Sequence, residues 1–307
     1  MDRKRVLPTA FLATFAMLTL GCASTPAAGP DVVFNEKELR DTDGDLLFAT
    51  EFPVASKTEA LLRADQARKA GEVDKALFFY VKALKFDPED ADLLAAIGRL
   101  HQYQGNAKLA VRAYSLALGA RPDFAEVLEA RGLILLAYDR DELALADLSR
   151  TIELNPDSWQ AHNGLGLLAD RTENHAAAVQ HYDRALALKP ADGGVLNNRG
   201  YSKFLAGDYA GAEADLERAA SQLGHRQAWV NLGTLYARRQ DYGRAVEALQ
   251  EVLPDAEAFN KVAEASMAKG DYSTAEELLE QAIRVSPTYF PAAEENLAQL
   301  KVRNEGS

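Results

Sequence analysis

Cys22 is the chain's only cysteine, so it can enter no intramolecular disulfide and no all-cysteine metal site. The other residue types able to do chemistry form no constellation. Among the five histidines, His101, His162, His175, His181 and His225, there is no HExxH pattern and no pair at i, i+4 that would set two ligands on one helix face. A Gly-rich phosphate loop and a Gly-x-Ser-x-Gly elbow are both absent. Asp41-Thr42-Asp43-Gly44-Asp45 has the outline of a calcium loop, which requires Gly at its sixth position and Glu at its twelfth. Counting from Asp41, those places hold Leu46 and Phe52, so a solvated acidic turn is predicted. The remaining carboxylates are predicted on the exposed faces of helices. These residues predict no enzyme activity, no metal, no cofactor and no small-molecule substrate.

Bulk properties narrow the partners further. The chain has 307 residues, 48% hydrophobic and 26% charged, with a net charge of −12. Those fractions are ordinary for a folded soluble protein. So acidic a surface repels phosphate backbones, whose binding rests on Lys and Arg displacing counterions. Nucleic acid is thereby disfavoured, while protein faces, cationic peptides and glycans remain open.

The elements that must position any site follow from a repeat. Pro88, Pro122, Pro156 and Pro190 are each 34 residues apart, as are Gly98, Gly132, Gly166 and Gly200. Ala76, Ala110, Ala144, Ala178 and Ala212 keep the same step. Such self-similarity marks a stacked repeat architecture. Each unit reads as two antiparallel helices joined by a tight turn, often at a glycine (Gly71, Gly105, Gly207 or Gly270). The phased Gly and Ala let the two backbones approach, and Tyr80, Tyr114, Tyr182, Leu216 and Leu249 fill the next layer. Proline ends the second helix, because it lacks an N–H and clashes inside a helix. One helix pair cannot bury its apolar face alone, so units stack into a superhelix.

This pattern resembles the tetratricopeptide-repeat (TPR) family, which implies an all-α superhelical solenoid. Seven units are predicted, at 57–90, 91–124, 125–158, 159–192, 193–225, 226–255 and 256–289. A cap helix follows at 290–303, completing a solenoid domain over 57–303. The phase breaks twice: unit five is short and has Gly224 where Pro is expected, and in unit six Pro254 arrives early. A change of superhelical pitch is predicted near 221–256.

The head of the chain has its own chemistry. Arg3-Lys4-Arg5 precedes an uncharged stretch from Val6 to Gly21, the layout of a secretory signal over residues 1–21. It ends Leu18-Thr19-Leu20-Gly21-Cys22, which resembles a bacterial lipobox, departing from the commonest form at Thr19. The resemblance implies cleavage before Cys22, diacylglyceration of its thiol and acylation of the new amine. Several acyl chains, each contributing about 0.8 kcal/mol per buried CH₂, make a stable membrane anchor. Ala23, where an Asp would imply inner-membrane retention, implies the outer membrane, with the chain facing the periplasm. Residues 22–56 open Cys-Ala-Ser-Thr-Pro-Ala-Ala-Gly-Pro, turn acidic and read as a flexible tether of roughly 30 Å root-mean-square span.

By the TPR resemblance, the first helix of each unit lines a concave groove, chiefly through its positions 2, 5, 9 and 12. Carried over, this gives Gln160, Asn163 and Asp170 in unit four, and Asn197, Tyr201 and Phe204 in unit five. Units six and seven supply Gln227, Val230, Asn260 and Glu264, with Asn198 and Asn231 beside the row. An Asn amide both donates and accepts, so it can pair with an extended peptide backbone. Tyr201 and Phe204 add apolar anchors. The Lys and Asn pair of the carboxylate-clamp subclass is missing.

Two finer resemblances bear on the partner. Leu196-Asn197-Asn198-Arg199-Gly200-Tyr201, followed by Leu205-Ala206-Gly207-Asp208-Tyr209, resembles repeat lipoproteins of pilus assembly. Lys269-Gly270-Asp271-Tyr272, through Ser286-Pro287-Thr288-Tyr289-Phe290 to Asn296-Leu297, looks like the end of the tight-adherence (Flp) pilus member. That resemblance implies a scaffold for a pilus or secretion machine. An adaptor for peptidoglycan hydrolases or for outer-membrane protein assembly is the alternative.

Overall fold

The computed structural model describes residues 54–305. The signal-like head, Cys22 and the acidic turn at 41–45 lie outside the described residues. Within them there are fifteen α-helices and no strand. They form seven pairs: α1 (Lys57–Lys69) with α2 (Val73–Leu84), α3 (Ala91–Tyr103) with α4 (Ala107–Ala120), and α5 (Ala125–Ala137) with α6 (Asp141–Leu154). Next come α7 (Trp159–Arg171) with α8 (His175–Leu188), α9 (Gly193–Leu205) with α10 (Tyr209–Glu217), and α11 (Arg226–Arg238) with α12 (Tyr242–Gln250). The last pair is α13 (Asp255–Lys269) with α14 (Tyr272–Val285), and α15 (Pro291–Glu305) closes the stack. No helix here is long and apolar enough to cross a membrane.

Local chemistry sets the helix ends. Side chains of Asp90, Ser158, Asn174, Asp192, Asp208, Asp241 and Asp271 accept from the first-turn N–H groups of the helices they precede. These caps satisfy donors that the helix itself cannot reach. At the other end, Arg121, Asn155 and Lys189 leave the helical region, with φ of −137°, −136° and −134°. Each precedes one of the phased prolines, whose ring disfavours helical backbone in the residue before it. Between paired helices, Gly207 and Gly270 adopt φ of 86° and 81°. The same left-handed turn is taken by Asp139, Glu173 and Gln240, at 56°, 58° and 63°, where no glycine is present.

The phased glycines face side chains. A Cβ on Gly98 would lie 2.4 Å from the Tyr114 ring, and on Gly166 2.5 Å from that of Tyr182. At Gly132, Gly200 and Gly233 the obstruction is Leu148, Leu216 and Leu249, at 2.9, 2.8 and 2.7 Å. So the layering expected from the sequence is corrected in one respect. The large residue of the second helix plugs directly into the notch left by the glycine of the first.

Those plugs belong to a continuous core running from Leu94 to Leu300, with a second cluster under α1 and α2 built from Ala60, Leu77, Phe79 and Ile97. The cap helix contributes Ala293, Leu297 and Leu300, covering the end of the stack. At the predicted phase break, α10 is short and runs into a π-helical turn at Arg218–Gln222. Gly224, with φ 66°, then closes the unit in place of proline.

The expectation that carboxylates lie on exposed faces fails at two positions. Asp147 and Asp215 are 5% and 7% exposed. Arg131 donates to both oxygens of Asp147 at 2.7 Å and to Ser115 Oγ at 3.0 Å. Arg199 likewise grips Asp215 through two nitrogens and reaches back to Asp183 at 2.7 Å. Each guanidinium thus bolts a helix pair to the preceding unit. A buried carboxylate is tolerated there because a bidentate cation replaces its lost water.

Candidate protein-binding groove

From α5 onward, successive first helices (α5, α7, α9, α11, α13) touch one another, and α15 touches α13; successive second helices make no comparable contact. The first helices therefore lie on the inside of the curve, and their outward row forms its concave surface.

Most of the asparagines predicted for that row are engaged with one another. Asn198 Nδ2 donates to Asn163 Oδ1 at 3.1 Å, joining α9 to α7. Asn231 Nδ2 donates to Asn197 Oδ1 at 2.8 Å, joining α11 to α9. Asn296 Nδ2 donates to Asn260 Oδ1 at 3.0 Å, joining α15 to α13. Within α9, Asn197 Nδ2 lies 3.5 Å from Asn198 Oδ1. Asn197, Asn198 and Asn260 are 2%, 7% and 6% exposed. The expected grip of these amides on a peptide backbone is therefore revised: they form an amide ladder that fixes repeat to repeat.

Asp170 is engaged in the same way. It accepts from Tyr182 Oη at 2.9 Å, Ser202 Oγ at 2.8 Å and His175 Nδ1 at 2.9 Å, binding α7 to α8 and α9. Glu264 is exposed, but its Oε1 accepts from Asn260 at 2.8 Å and Asn296 at 3.3 Å. Asn296, on the cap helix, belongs to the ladder and was not among the predicted site residues. Its recurrence near the 34-residue step after Asn260 is the signal that could have found it.

What the row leaves open is mainly apolar. Tyr201 and Phe204 are half-buried, with ring centroids 5.9 Å apart, and Phe204 lies 5.9 Å from Tyr209. Tyr209, which lies outside the predicted row, starts α10 and completes an aromatic triad across the turn. Burial and the nearby Asp170 carboxylate push the Tyr201 phenol up, so it stays a neutral hydroxyl. Val230 of α11, and Gln160 and Gln227 at the starts of α7 and α11, are also partly exposed. Among the described residues no three His, Cys, Asp or Glu side chains gather as a metal site.

Tetratricopeptide-repeat models match residues 140–193 and 197–263, and a further one matches 256–289. Residues 140–289 thus carry tetratricopeptide repeats, and the described residues have the solenoid fold of that family. A solved tetratricopeptide repeat protein from Parabacteroides merdae is similar over 81% of this chain and 100% of its own, at 19% identity and TM-score 0.58. MamA from Desulfovibrio magneticus is similar over 55% of this chain and 95% of its own, at 19% identity and TM-score 0.51. YrrB, described as a TPR protein with an unusual peptide-binding site, covers 56% of this chain and 90% of its own, at 22% identity and TM-score 0.51. At these identities the likeness is one of fold. No curated protein matches.

Proposed function

We propose that the chain is a non-enzymatic scaffold that holds an extended segment of a partner protein along its concave face, centred on unit five. The observation that carries this reading is the Tyr201, Phe204 and Tyr209 triad, left open on a row whose asparagines and Asp170 are engaged internally. Rigid aromatic side chains on a concave surface supply contact area at low entropic cost. A scaffold whose ladder is internally satisfied presents these anchors in fixed register, so binding does not have to organise them first.

We further propose that Cys22 carries the lipid, that the solenoid faces the periplasm from the outer membrane, and that its partner belongs to a pilus or secretion machine of the tight-adherence type. The lipobox-like ending at Leu18–Cys22 and the resemblance over about 193–300 support these readings. Metabolic labelling with a palmitate analogue tests the anchor. The parent takes up label and fractionates with the outer membrane, and Cys22→Ser does neither; a labelled, outer-membrane Cys22→Ser protein would overturn it.

A further inference from the structure

Sequence spacing gave no two histidines on one helix face, but the fold of unit four brings His162 of α7 and His181 of α8 together. Their Nδ1 atoms are 3.5 Å apart. The ring centroids are 5.8 Å apart, a separation equal to the nitrogen gap plus a ring radius on each side. Both Nδ1 atoms therefore lie close to the line joining the rings, and their in-plane lone-pair directions oppose each other.

The state of His162 is fixed by its other nitrogen. Nε2 lies 3.1 Å from the Pro156 carbonyl oxygen, which can only accept, so Nε2 carries the proton and Nδ1 presents a bare lone pair. Donation of the far ring N–H to a backbone carbonyl is the arrangement that orients a metal-ligating imidazole. At 3.5 Å, a hydrogen bond from His181 Nδ1–H to that lone pair would be at its outer limit, while the gap is too short for a bridging water.

We propose that His162 and His181 form a two-coordinate, in-line site for a soft monovalent ion, Cu(I) or Ag(I). With bonds of roughly 2 Å to each nitrogen, the rings need to part by only about half an ångström. The opposed lone pairs suit linear coordination. A tetrahedral divalent ion would need the lone pairs to converge from one side, and further His, Cys, Asp or Glu ligands, which no group among the described residues supplies. Imidazole is an established ligand for copper. On binding, His181 shifts its proton from Nδ1 to Nε2, so both rings remain neutral and no proton is released. Burial holds both imidazoles below their ordinary pKa, keeping the lone pairs free at neutral pH. His181 is partly exposed and gives the ion its way in.

Ag(I), which needs no reductant, is the probe. It is titrated into the full-length Cys22→Ser chain, which removes the competing thiol, while ¹H–¹⁵N spectra follow the imidazole nitrogens. The expected result is a single equivalent bound, with the Nδ1 signals of His162 and His181 moving together and acquiring silver–nitrogen coupling. His181→Gln, checked for helicity, abolishes that binding, and Zn(II) leaves the pair unmoved. Silver taken up at Met267 or at other histidines with this pair unchanged would overturn the proposal, as would Zn(II) binding there as tightly as Ag(I). The spectra of the histidine-intact chain decide the matter even if the variant fails to fold.

Discussion

The Tyr182 ring occupies the volume that a side chain at position 166 would need: a Cβ on Gly166 would sit 2.5 Å from its Cε1. Tyr182 is fully buried and its hydroxyl donates to Asp170, so the ring cannot swing away without breaking that bond. One contact thus sets both the spacing of α7 and α8 and the position of the carboxylate that ties α9 to them.

Gly166→Ala is therefore expected to lower the melting temperature, although alanine favours a helix by about 1 kcal/mol. Overpacking of this kind costs about 1–3 kcal/mol. Gly119→Ala is the control: nothing lies within 4 Å of its Cβ position in α4, so the helix preference acts alone and stability rises. Thermal melts of both, followed by circular dichroism, should move in opposite directions.

Asn197→Ala should cost stability as well as any effect on binding. It leaves Asn231 Nδ2 without its acceptor at the α9–α11 seam, a loss of about 1–3 kcal/mol when the orphaned group is buried. Asn231 is partly buried, so the lower end of that range is expected. An unaltered urea midpoint would mean that the ladder does not hold repeats together.

Asp215→Ala removes the carboxylate that pairs with Arg199 and Lys203. Breaking a buried pair from one side typically costs about 3–5 kcal/mol, because a charge is left unpaired. Asp183, on the far side of Arg199, is half-exposed and softens the loss only partly. Chemical denaturation of Asp215→Ala and Asp183→Ala should show the first to be much the more damaging.

The pH dependence has a definite sign. Burial lowers the pKa of His101, His162, His181 and His225, with the His162 ring lowering His181 further and Arg184 opposing Asp157 at His162. The unfolded chain takes up protons at about pH 6.5, while the folded chain still refuses them. This contribution to stability is present in full above that pH and is lost as the pH falls towards the lowered folded values. Melting temperature should drop between about pH 7 and pH 5, a window in which ordinary carboxylates stay ionised. His162→Gln and His181→Gln should each flatten the drop.

The sequence spoke most clearly where one residue type does one job at a fixed step. Pro122, Pro156 and Pro190 each force the residue before them out of the helix, so a 34-residue spacing of proline is a direct record of helix ends. Gly166 records a close contact, although not that Tyr182 is what fills it. The Asn row was legible as a row, but not its direction: a primary amide reads the same whether it meets a ligand or another amide. Asn163 and Asn198 meet only because two first helices pack side by side. The burial of Asp215 and the meeting of His162 with His181 depend on the pairing of a first with a second helix, which spacing rules written for one helix do not cover. The π-helical turn at Arg218–Gln222 has no residue signature beyond the missing proline.

Whether a partner segment lies across the aromatic triad of unit five is decided by site-specific photocrosslinking in intact cells. A benzophenone side chain is placed at Phe204, and in a second strain at Gln180, an exposed position on the second helix α8. Adducts are mapped by mass spectrometry. Position 204 is expected to yield one contiguous stretch of a single partner and position 180 none of it, and Tyr201→Ser should weaken the adduct. Adducts to the same partner from position 180, with none from 204, would place binding on the convex face instead.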